Sequence, residues 1–368
     1  MNALNELLTH DFDATSRFVQ EFDSSSPNLR YLLGTNRYAE ALTNIYKFAG
    51  VIDESSTQSH WRGLPIISLG QLPKGAMVIC TATGRPHQAM RKLAAHPVWA
   101  IDFFSFRKLR PQGLPEIRFN EEFKCEFSRN HENFEKTYNQ LGDFESRKIF
   151  SKLIDFRLNQ NLFTIADFKE KQDEQYFDDC VRLQPDNETF FDIGGFEGET
   201  TLAFFDRAGF GSKALVFEPQ LENYQRCHRN LAHLPNVSIH SVALSDGRLQ
   251  GCMVGEGSNA HIEFGTKNDL AFSKVDDFAQ ANPTFIKVDV EGHEMNVLAG
   301  AKQVLAHLSP KLAIATYHQP DHFWRIPELV LGIQPKYTLL LRHYTESIYE
   351  SVYYFIPSIR SHSRGTLI

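Results

Sequence analysis

The stretch Thr189–Gly198 constrains this chain more than any other. Apolar residues lead into Asp192, a glycine-rich turn follows, and Glu199–Phe205 then has the pattern of a helix. Glycines let a backbone adopt angles that other residues avoid and pass close to a ligand. The start of a helix adds free N–H groups and a partial positive charge. The stretch therefore predicts a cradle for a nucleotide, and a tight turn with a purely structural role is the alternative.

The composition bounds the remaining possibilities. At 368 residues the chain is long enough for two domains. Its net charge of −7 argues against a nucleic-acid surface as the main role. The 5 cysteines have neither the spacing of a zinc site nor that of a disulfide framework. No apolar run approaches the ~20 residues of a membrane span, and the N-terminus lacks the pattern of a secretory signal. We therefore expect a cytoplasmic protein with free thiols.

Strands alternate with helices in two parts of the sequence, which predicts two α/β domains with parallel sheets. An N-terminal helix and linker at 1–27 precede the first, smaller Rossmann-like domain at 28–110. The second domain occupies 187–368. Between them, 111–186 is polar with apolar positions at helical spacing, and we interpret it as a helical connector. Residues 244–275 carry glycines and short apolar runs, which favour a small hairpin insertion.

The first domain has the sequence pattern of a small nucleotide-binding fold. A predicted strand runs into a turn at Gly34, and the next one ends at Asp53, where an acid suits a ribose. However, only one glycine stands where the dinucleotide fingerprint has three, and Thr35–Arg37 occupy the loop. We therefore favour a fold of this type without the dinucleotide, holding a partner or part of the substrate. A bound dinucleotide is the alternative.

In the second domain, acids end three predicted strands. Asp192 ends the first, Glu218 the second and Asp289 the fourth. Ligands of open parallel sheets bind at the carboxyl ends of the strands. Glu218 follows Gly198 by about 20 residues, which is the spacing of a ribose-binding acid. We therefore predict that Glu218 holds a ribose, and a helix cap is the alternative.

Three motifs carry a family resemblance. They are Phe191–Gly198, Phe217–Pro219 and Ile286–Glu294, and the third is the most specific because it contains Lys-Val-Asp-Val-Glu-Gly-His-Glu. Together with the tail at Arg342–Tyr344 and Val352–Pro357, they resemble the FkbM family of S-adenosylmethionine-dependent methyltransferases. Some relatives in that family carry an added nucleotide-binding-like domain in front.

The resemblance covers residues 140–357, roughly, and implies a class I methyltransferase fold. Such a fold has a seven-stranded, mostly parallel sheet with helices on both faces and an antiparallel last strand. The resemblance also implies S-adenosylmethionine as cofactor and a hydroxyl of a sugar, glycan or secondary-metabolite precursor as methyl acceptor. The cofactor residues that it implies are Asp192, Gly194, Gly195 and Gly198 around the methionine part, Glu218 at the ribose, and Ala243, Leu244, Ser245 and Asp246 beside the adenine.

An alcohol acceptor must lose its proton, so this function needs a base within hydrogen-bond reach. The catalytic candidates are Asp289, Glu291 and His293, and His318 is a further candidate base. His293 has an ordinary pKa suited to the task, and local packing at a helix start is its alternative. Glu291 and Glu294 also suit a helix N-terminus for its dipole alone. Two carboxylates and a histidine invite a divalent cation, but their spacing matches no standard site, and we predict no metal.

The acceptor is expected beside residues that follow the fifth and sixth strands. His318 follows the fifth, Arg342 and His343 follow the sixth, and a solvated loop is the alternative for each. The expected partner is a small-molecule or glycan acceptor, without nucleic acid or a membrane span, and a homo-oligomer is compatible with the sequence.

Two rival functions stay open. A NAD-dependent oxidoreductase is disfavoured because neither turn has three spaced glycines, and a non-catalytic nucleotide-binding scaffold is disfavoured by the intact turn and Glu218.

Overall fold

The computed structural model describes residues 13–247, 251–254, 261–264 and 270–358. The helices are α1 Asp13–Ser24, α2 Arg37–Ile45, α3 Pro86–Ala94, α4 Phe103–Leu109, α5 Phe123–Gln140, α6 Phe144–Asn159, α7 Glu199–Ala208, α8 Leu221–Leu231, α9 Glu294–Ala299, α10 Lys302–His307 and α11 His322–Ile333. The strands are β1 Arg30–Leu33, β2 Gly50–Ile52, β3 His60–Trp61, β4 Leu64–Ile67, β5 Met77–Cys80, β6 Trp99–Asp102, β7 Thr189–Ile193, β8 Lys213–Phe217, β9 Val237–His240, β10 Ala243–Leu244, β11 Gly251–Val254, β12 His261–Phe264, β13 Phe272–Ser273, β14 Phe285–Val288, β15 Lys311–Ala315, β16 Tyr337–His343 and β17 Ser351–Pro357.

The chain divides into two compact units. Unit 1 takes in the described residues up to Lys124, together with Phe150–Gln172 and Tyr344–Tyr349. Unit 2 takes in Cys125–Ile149, Asp173–His343 and the residues described from Glu350 onward. Residues 111–186, predicted as a helical connector, contribute to both units.

Unit 1 is built on a six-stranded sheet with the order β3-β4-β2-β1-β5-β6. All neighbouring pairs are parallel except β3 and β4, which form an antiparallel edge. Side chains alternate across a strand, so Tyr31 of β1 packs in one core and its neighbour Leu32 in the other. Helices α1, α2 and α4 cover the face of Leu32, and α3 covers the face of Tyr31. The sheet is therefore wound on both sides, as the alternation of strands and helices predicts.

Unit 2 is built on a seven-stranded sheet with the order β16-β17-β15-β14-β7-β8-β9. Strand β17 is antiparallel to both of its neighbours, and the pairs from β15 to β9 are parallel. Each residue of β14 is buried, as are four of the five residues of β7. Continuous apolar runs are typical of parallel strands covered on both faces. The predicted class I methyltransferase sheet, with its antiparallel last strand, is confirmed.

Lys287 interrupts the apolar run of β14 and is nonetheless buried. The register pairs Lys287 with Asp192 of β7, and its Nζ lies 3.1 Å from Oδ1 of Asp192. Nζ also donates to the carbonyl oxygen of Gly194 at 2.6 Å. Burial alone would lower the pKa of Lys287, but Asp192 and Asp289 outweigh it and raise that pKa. A buried ion pair thus joins two central strands just below the glycine turn.

Two further predictions from the sequence also have outcomes. Residues 244–275 were predicted to contain a hairpin, and β11 pairs antiparallel with β12 there; the remainder of that insertion lies partly outside the described residues. Arg342 and His343 were expected after the sixth strand, which is wrong. They are the last residues of β16, because its pairing with β17 continues to His343 opposite Ser351. Among the described residues, no helix is both long and apolar enough to cross a membrane.

Candidate active site

The glycine turn after β7 is fixed by its neighbours. The N–H groups of Gly194 and Gly195 both donate to the carbonyl oxygen of Phe217, at 3.0 and 3.2 Å. Gly194 has a φ of 80°, and a Cβ on it would lie 1.8 Å from the carbonyl oxygen of Asp289. A Cβ on Gly195 would lie 2.3 Å from Cγ1 of Val216. These glycines are therefore required by the close approach of neighbouring backbone and side chains, before any ligand is considered.

The turn leads directly into α7 and is tied to β7 by a buried polar pair. Gly198 is the N-cap residue of α7 and has a left-handed backbone. Asp192 is fully buried, and its Oδ2 accepts a hydrogen bond of 2.8 Å from the hydroxyl of Thr201 on α7. Since Oδ1 faces Lys287, the carboxylate connects β7, β14 and the first turn of α7. Asp192 therefore shapes the turn from beneath.

Glu218 follows β8 and lies beside the glycine turn. It is only 6% exposed. Its Oε2 accepts the N–H of Phe196 at 2.9 Å, and its Oε1 accepts the N–H of Gln220 at 2.8 Å. Burial raises the pKa of Glu218 to about 7, against the lowering effect of these two backbone bonds. The carboxyl group therefore changes its charge close to neutral pH.

Asp289 follows β14 and is held by a tyrosine from a distant part of the chain. Tyr176 is buried and donates a hydrogen bond of 2.6 Å to Oδ2 of Asp289. The Asp289 side chain is 23% exposed, while its Oδ1 is buried 3.5 Å from Nε2 of His318. The accessible side of this carboxylate is therefore the Oδ2 side, at the carboxyl edge of the sheet.

A buried carboxylate and two histidines lie next to Asp289. Oε1 of Glu294 is 2.8 Å from Nδ1 of His318, and its Oε2 is 3.3 Å from Nδ1 of His322. Burial alone would lower the pKa of His318, but Glu294, Asp289 and Glu291 outweigh it and raise that pKa to about 9. Burial would raise the pKa of Glu294, but His318 and His322 lower it to about 2. His318 is therefore an imidazolium at neutral pH and has no nitrogen free to accept a proton.

Glu291 and His293 lie in the segment between β14 and α9, and their side chains contact different parts of the site. Glu291 has a left-handed backbone, with a φ of 52°. Its Oε2 is 3.8 Å from Nε2 of His318, and its side chain is 27% exposed. Nε2 of His293 instead lies 3.1 Å from the hydroxyl oxygen of Ser245. Burial lowers the pKa of His293. Of the three predicted catalytic residues, Asp289 and Glu291 therefore meet at His318, while His293 contacts the segment after β10.

The segment predicted beside the adenine is partly buried. Leu244 is buried in β10, where it pairs with Ser273 of β13. Asp246 is exposed, and its Oδ1 accepts a hydrogen bond of 3.2 Å from Ser245. Through Ser245, this segment is linked to His293 and so to the motif after β14.

The predicted substrate residues on β16 have structural partners. Nη2 of Arg342 lies 2.7 Å from Oδ2 of Asp143, and its Nε lies 3.5 Å from Oδ1 of Asp178. These carboxylates raise the pKa of Arg342 further above its ordinary value, although burial opposes them. Nδ1 of His343 is 2.8 Å from the hydroxyl of Ser351 on β17. Arg342 therefore ties β16 to the start of α6 and to the segment that precedes β7, and a role toward substrate stays a prediction.

Three site residues, Gln175, Tyr176 and Glu350, were not singled out from the sequence. Tyr317 donates to both carboxylate oxygens of Glu350 at 3.1 Å, and Gln175 donates to Glu350 at 2.6 Å and to the hydroxyl of Tyr176 at 3.0 Å. The network is connected to Asp289 by Tyr176, whose hydroxyl donates to Oδ2 of Asp289. The residues lie up to 175 positions apart in sequence, and a tyrosine next to a glutamine carries no local signal. Glu294 had a signal, a carboxylate inside the most specific motif, but a helix-start acid explained it equally well.

A metal ion could be held by one atom each from Asp289, Glu294 and His318, which lie within 4.8 Å of one another. The donor set of two carboxylates and one imidazole suits several divalent cations. However, the raised pKa of His318 keeps a proton on the imidazole, and a cation would have to displace it. The absence of a metal therefore stays a prediction.

With this geometry in place, comparison with known proteins identifies the region. Residues 192–348 match the family model described as the methyltransferase FkbM domain. This segment is therefore similar to FkbM methyltransferase domains. It contains both strand-end acids, Glu218 and Asp289, and the cluster around His318. None of the curated proteins matches the sequence significantly.

Solved structures are similar to this chain over different shares of its length. The methyltransferase FkbM from Methylobacillus flagellatus KT is similar with a TM-score of 0.73 at 20% identity, covering 96% of this chain and 97% of that one. A SAM-dependent methyltransferase from Aquifex aeolicus has a TM-score of 0.33 at 13% identity, covering 53% and 97%. Fibrillarin from Aeropyrum pernix, bound to S-adenosyl-L-methionine, has a TM-score of 0.32 at 10% identity, covering 48% and 70%. The similarity to the Methylobacillus flagellatus structure shows that this chain has the same fold over nearly its whole length.

Proposed function

We propose that the protein is an S-adenosylmethionine-dependent O-methyltransferase that methylates a hydroxyl of a sugar, glycan or related secondary-metabolite precursor. The observation that carries the proposal is the placement of two carboxylates on either side of the glycine turn. In the sheet, β7 lies between β8 and β14, so Glu218 and Asp289 flank the turn at the carboxyl edge. Ligands of open parallel sheets bind at this edge.

The residues at the end of β8 fit the ribose of the cofactor. Each oxygen of Glu218 accepts one backbone N–H, and an ionised carboxylate has about four acceptor positions. Two positions therefore remain for two ribose hydroxyls. Phe196 in the turn and Leu221 at the start of α8 are 40% and 64% exposed, which leaves apolar surface for the remainder of such a ligand.

When bound, S-adenosylmethionine supplies a methyl group on a sulfonium, which is a good leaving group. The protein must then hold an acceptor oxygen in line at near-attack distance and remove its proton. We assign the base to Asp289. Its Oδ2 keeps an acceptor position beside the hydrogen bond from Tyr176 and lies on the accessible side of the carboxylate.

The neighbours of Asp289 hold it in place and balance its charge. His318 is positively charged and lies 3.5 Å from Oδ1 of Asp289, while Glu294 fixes the imidazole from its other nitrogen. Glu291 is the second partly exposed carboxylate at this position. We propose that Glu291 binds a further hydroxyl of the acceptor, because a polyol offers several donors to accept.

His293 is assigned to the cofactor side of the site. It contacts Ser245, in the segment expected beside the adenine, and its lowered pKa keeps it neutral near pH 7. A neutral imidazole in this position can orient Ser245 and the segment that follows, including Asp246. This assignment leaves Asp289 as the residue that contacts the reacting hydroxyl.

The proposal is tested by methyl transfer from radiolabelled S-adenosylmethionine to a panel of sugar nucleotides and cell-surface glycans. We expect label in at least one acceptor class, and a rate at least about a hundredfold lower for Asp289→Asn, the usual scale for loss of a general base. Asp206→Asn, on the exposed face of α7, is the matched control and should retain the rate. Transfer that is equally fast in Asp289→Asn would remove Asp289 from the mechanism. Methylation of a nitrogen acceptor alone would contradict the acceptor class.

A further inference from the structure

Unit 1 contains a cavity of its own, with a volume of about 370 Å³. Part of its lining is apolar, from Leu33, Ile52 and Leu69, and part is polar, from Asp53, Arg85 and Gln88. An apolar wall with a few convergent polar groups is the usual composition of a small-molecule site, and the volume lies in the usual range.

The cavity lies where the sheet of unit 1 reverses its winding. From β1 the chain passes to β2 on one side, and β5 lies on the other side of β1. The helices that follow β1 and β5, α2 and α3, pack on opposite faces of the sheet. Open α/β sheets bind ligands outside the carboxyl ends of the strands at such a switch point. The cavity is lined by residues directly after β1, β2 and β5.

Asp53, directly after β2, is the acid of this cavity. Its Oδ2 accepts a hydrogen bond of 2.7 Å from Thr35, and its Oδ1 accepts the N–H and the hydroxyl of Ser55. Burial would raise the pKa of Asp53, but these bonds lower it. With three of about four acceptor positions in use, the carboxylate can accept one more hydroxyl on Oδ2. A strand-end acid in this position suits the hydroxyl of a ribose.

The helix starts beside the cavity are not open to phosphate. Asn36 caps α2, with its Oδ1 accepting the N–H groups of Tyr38 and Ala39 at 3.0 and 3.2 Å. At α3, the N–H of Gln88 donates to Oε1 of Glu346 at 2.6 Å. A phosphate at a helix N-terminus needs free N–H groups, so these contacts oppose phosphate binding.

The two cations at the rim are also paired. Nε of Arg85 lies 3.6 Å from Oε2 of Glu170, and Nζ of Lys92 lies 3.6 Å from Oε2 of Glu54. With Asp53 in the cavity as well, the lining carries no excess of positive charge. A pyrophosphate would therefore have to compete with Glu170 and Glu54 for these two cations.

We propose that unit 1 binds a nucleoside without phosphates in this cavity. The base packs against Leu33, Ile52 and Leu69, and one ribose hydroxyl donates to Oδ2 of Asp53. This assignment separates the cavity from a dinucleotide site, which needs the helix N-terminus that Asn36 occupies. It is independent of methyl transfer, since all the residues involved belong to unit 1.

Calorimetric titration with adenosine, guanosine, cytidine and uridine tests the proposal. The titrations use full-length Glu218→Gln protein, so that the methyltransferase domain does not bind the nucleoside through its own ribose-binding acid. We expect at least one nucleoside to bind, and Asp53→Asn to weaken it about tenfold or more, as expected for a hydrogen bond to a charged group. Either the 2′-deoxy or the 3′-deoxy analogue should lose affinity to a similar extent.

Two further variants keep the result interpretable. Ala82→Leu fills the cavity from its wall and should weaken the same nucleoside even if Asp53→Asn folds poorly. Glu21→Gln removes an exposed carboxylate from α1 and should leave binding unchanged. Three results would overturn the proposal: no nucleoside binding up to about 5 mM, equal binding by folded Asp53→Asn, or tighter binding of NAD or of the 5′-monophosphate than of the nucleoside.

Discussion

The two units place similar residues at similar points of two different sheets. In each, a glycine follows the first strand and an acid follows the second, Gly34 and Asp53 in unit 1, Gly194 and Glu218 in unit 2. Asp53 is bound by the hydroxyls of Thr35 and Ser55, and its pKa is lowered against the effect of burial. Glu218 is bound by backbone N–H groups, and burial raises its pKa to about 7.

The larger difference is in what the neighbouring strand supplies. In unit 2, β14 lies beside β7 and ends in Asp289, with Tyr176, His318 and Glu294 around it. In unit 1, β5 lies beside β1 and runs into Thr81, whose hydroxyl donates to the carbonyl oxygen of Leu33 at 2.8 Å. The same sheet edge thus carries the carboxylate proposed as the base in one unit and a structural hydroxyl in the other. A glycine and an acid at neighbouring strand ends indicate a binding edge, and we propose that a second acid, Asp289 in unit 2, distinguishes a site for chemistry.

The largest expected effect is on the free energy of unfolding, and it differs between alanine variants of the two glycines. Gly194→Ala places a Cβ 1.8 Å from the carbonyl oxygen of Asp289, a backbone atom. Gly34→Ala places one 2.8 Å from Oγ1 of Thr81, which can rotate. Both glycines have a positive φ. We expect Gly194→Ala to lower the free energy of unfolding of unit 2 by more than about 4 kcal/mol, and Gly34→Ala to cost unit 1 about 1 to 3 kcal/mol. Hydrogen exchange in β7 and β1 measures each unit, and equal losses would contradict the structural account.

The next largest effect belongs to the buried pair of unit 2. Glu294→Gln leaves His318 without its closest carboxylate, and breaking a buried ion pair costs about 3 to 5 kcal/mol. Chemical denaturation should show this loss, whereas Glu222→Gln, in an exposed pair on α8, should cost less than about 1 kcal/mol. Similar values for the two variants would mean that Glu294 and His318 do not form a strong pair.

The same pair predicts how stability varies with pH. The folded pKa of Glu294 is about 2, below its ordinary 4.5, so its contribution is present above about pH 4.5 and is lost as the pH falls toward 2. The folded pKa of His318 is about 9, above its ordinary 6.5, so its contribution is complete below about pH 6.5 and is lost as the pH rises through 9. Thermal melts across this range should show both losses in the wild type and smaller losses in Glu294→Gln, in which Asp289 and Glu291 still raise the pKa of His318.

A smaller effect is expected from the hydrogen bond that holds Asp289. Tyr176→Phe removes the 2.6 Å bond to Oδ2 but keeps the ring. We expect kcat to fall about tenfold, the scale of one hydrogen bond to a charged group, with little change in the KM for S-adenosylmethionine. Tyr224→Phe, on α8 against His228, is the matched control. A change confined to KM would assign Tyr176 to cofactor binding rather than to positioning the base.

The smallest effect concerns the charge of Glu218. If the ionised carboxylate holds the ribose, cofactor affinity should fall as the pH drops through the pKa of about 7. Between pH 8 and pH 6.5 the ionised fraction falls from about nine-tenths to about a quarter, so the dissociation constant should rise about fourfold. Asp53 has no such dependence in this range, because its pKa is lowered. A pH-independent affinity in the wild type would show that the charge of Glu218 is not used.

The sequence predicts the sheet of unit 2 well because buried parallel strands are largely apolar runs, and Glu218 and Asp289 each follow such a run. Asp192, expected at the end of its strand, lies one residue before the end of β7. It predicts less of what surrounds Asp289. Tyr176 reaches this carboxylate across 113 positions of sequence, and no local pattern indicates that contact. Short elements are also missed. The edge strand β3 has only two residues, which is too few for a periodic pattern, and its neighbour β4 contains Pro65, a residue that argues against a strand.

The histidines show a second limit. His318 was a candidate base from its place after the fifth strand, whereas three surrounding carboxylates raise its pKa to about 9. His293 was the leading imidazole, whereas burial lowers its pKa and Ser245 is its partner. Both results depend on neighbours that only the folded chain brings together. Residue type therefore identifies the group of candidates, and the environment decides which of them can accept a proton.

Calorimetric titration of S-adenosylmethionine into wild type, Glu218→Gln and Asp53→Asn tests the central claim most directly, because it asks which of the two strand-end acids holds the cofactor. We expect one equivalent to bind the wild type, Glu218→Gln to weaken binding by about tenfold or more, and Asp53→Asn to bind as the wild type does. No binding by folded wild type, or a loss with Asp53→Asn and not with Glu218→Gln, would contradict the account.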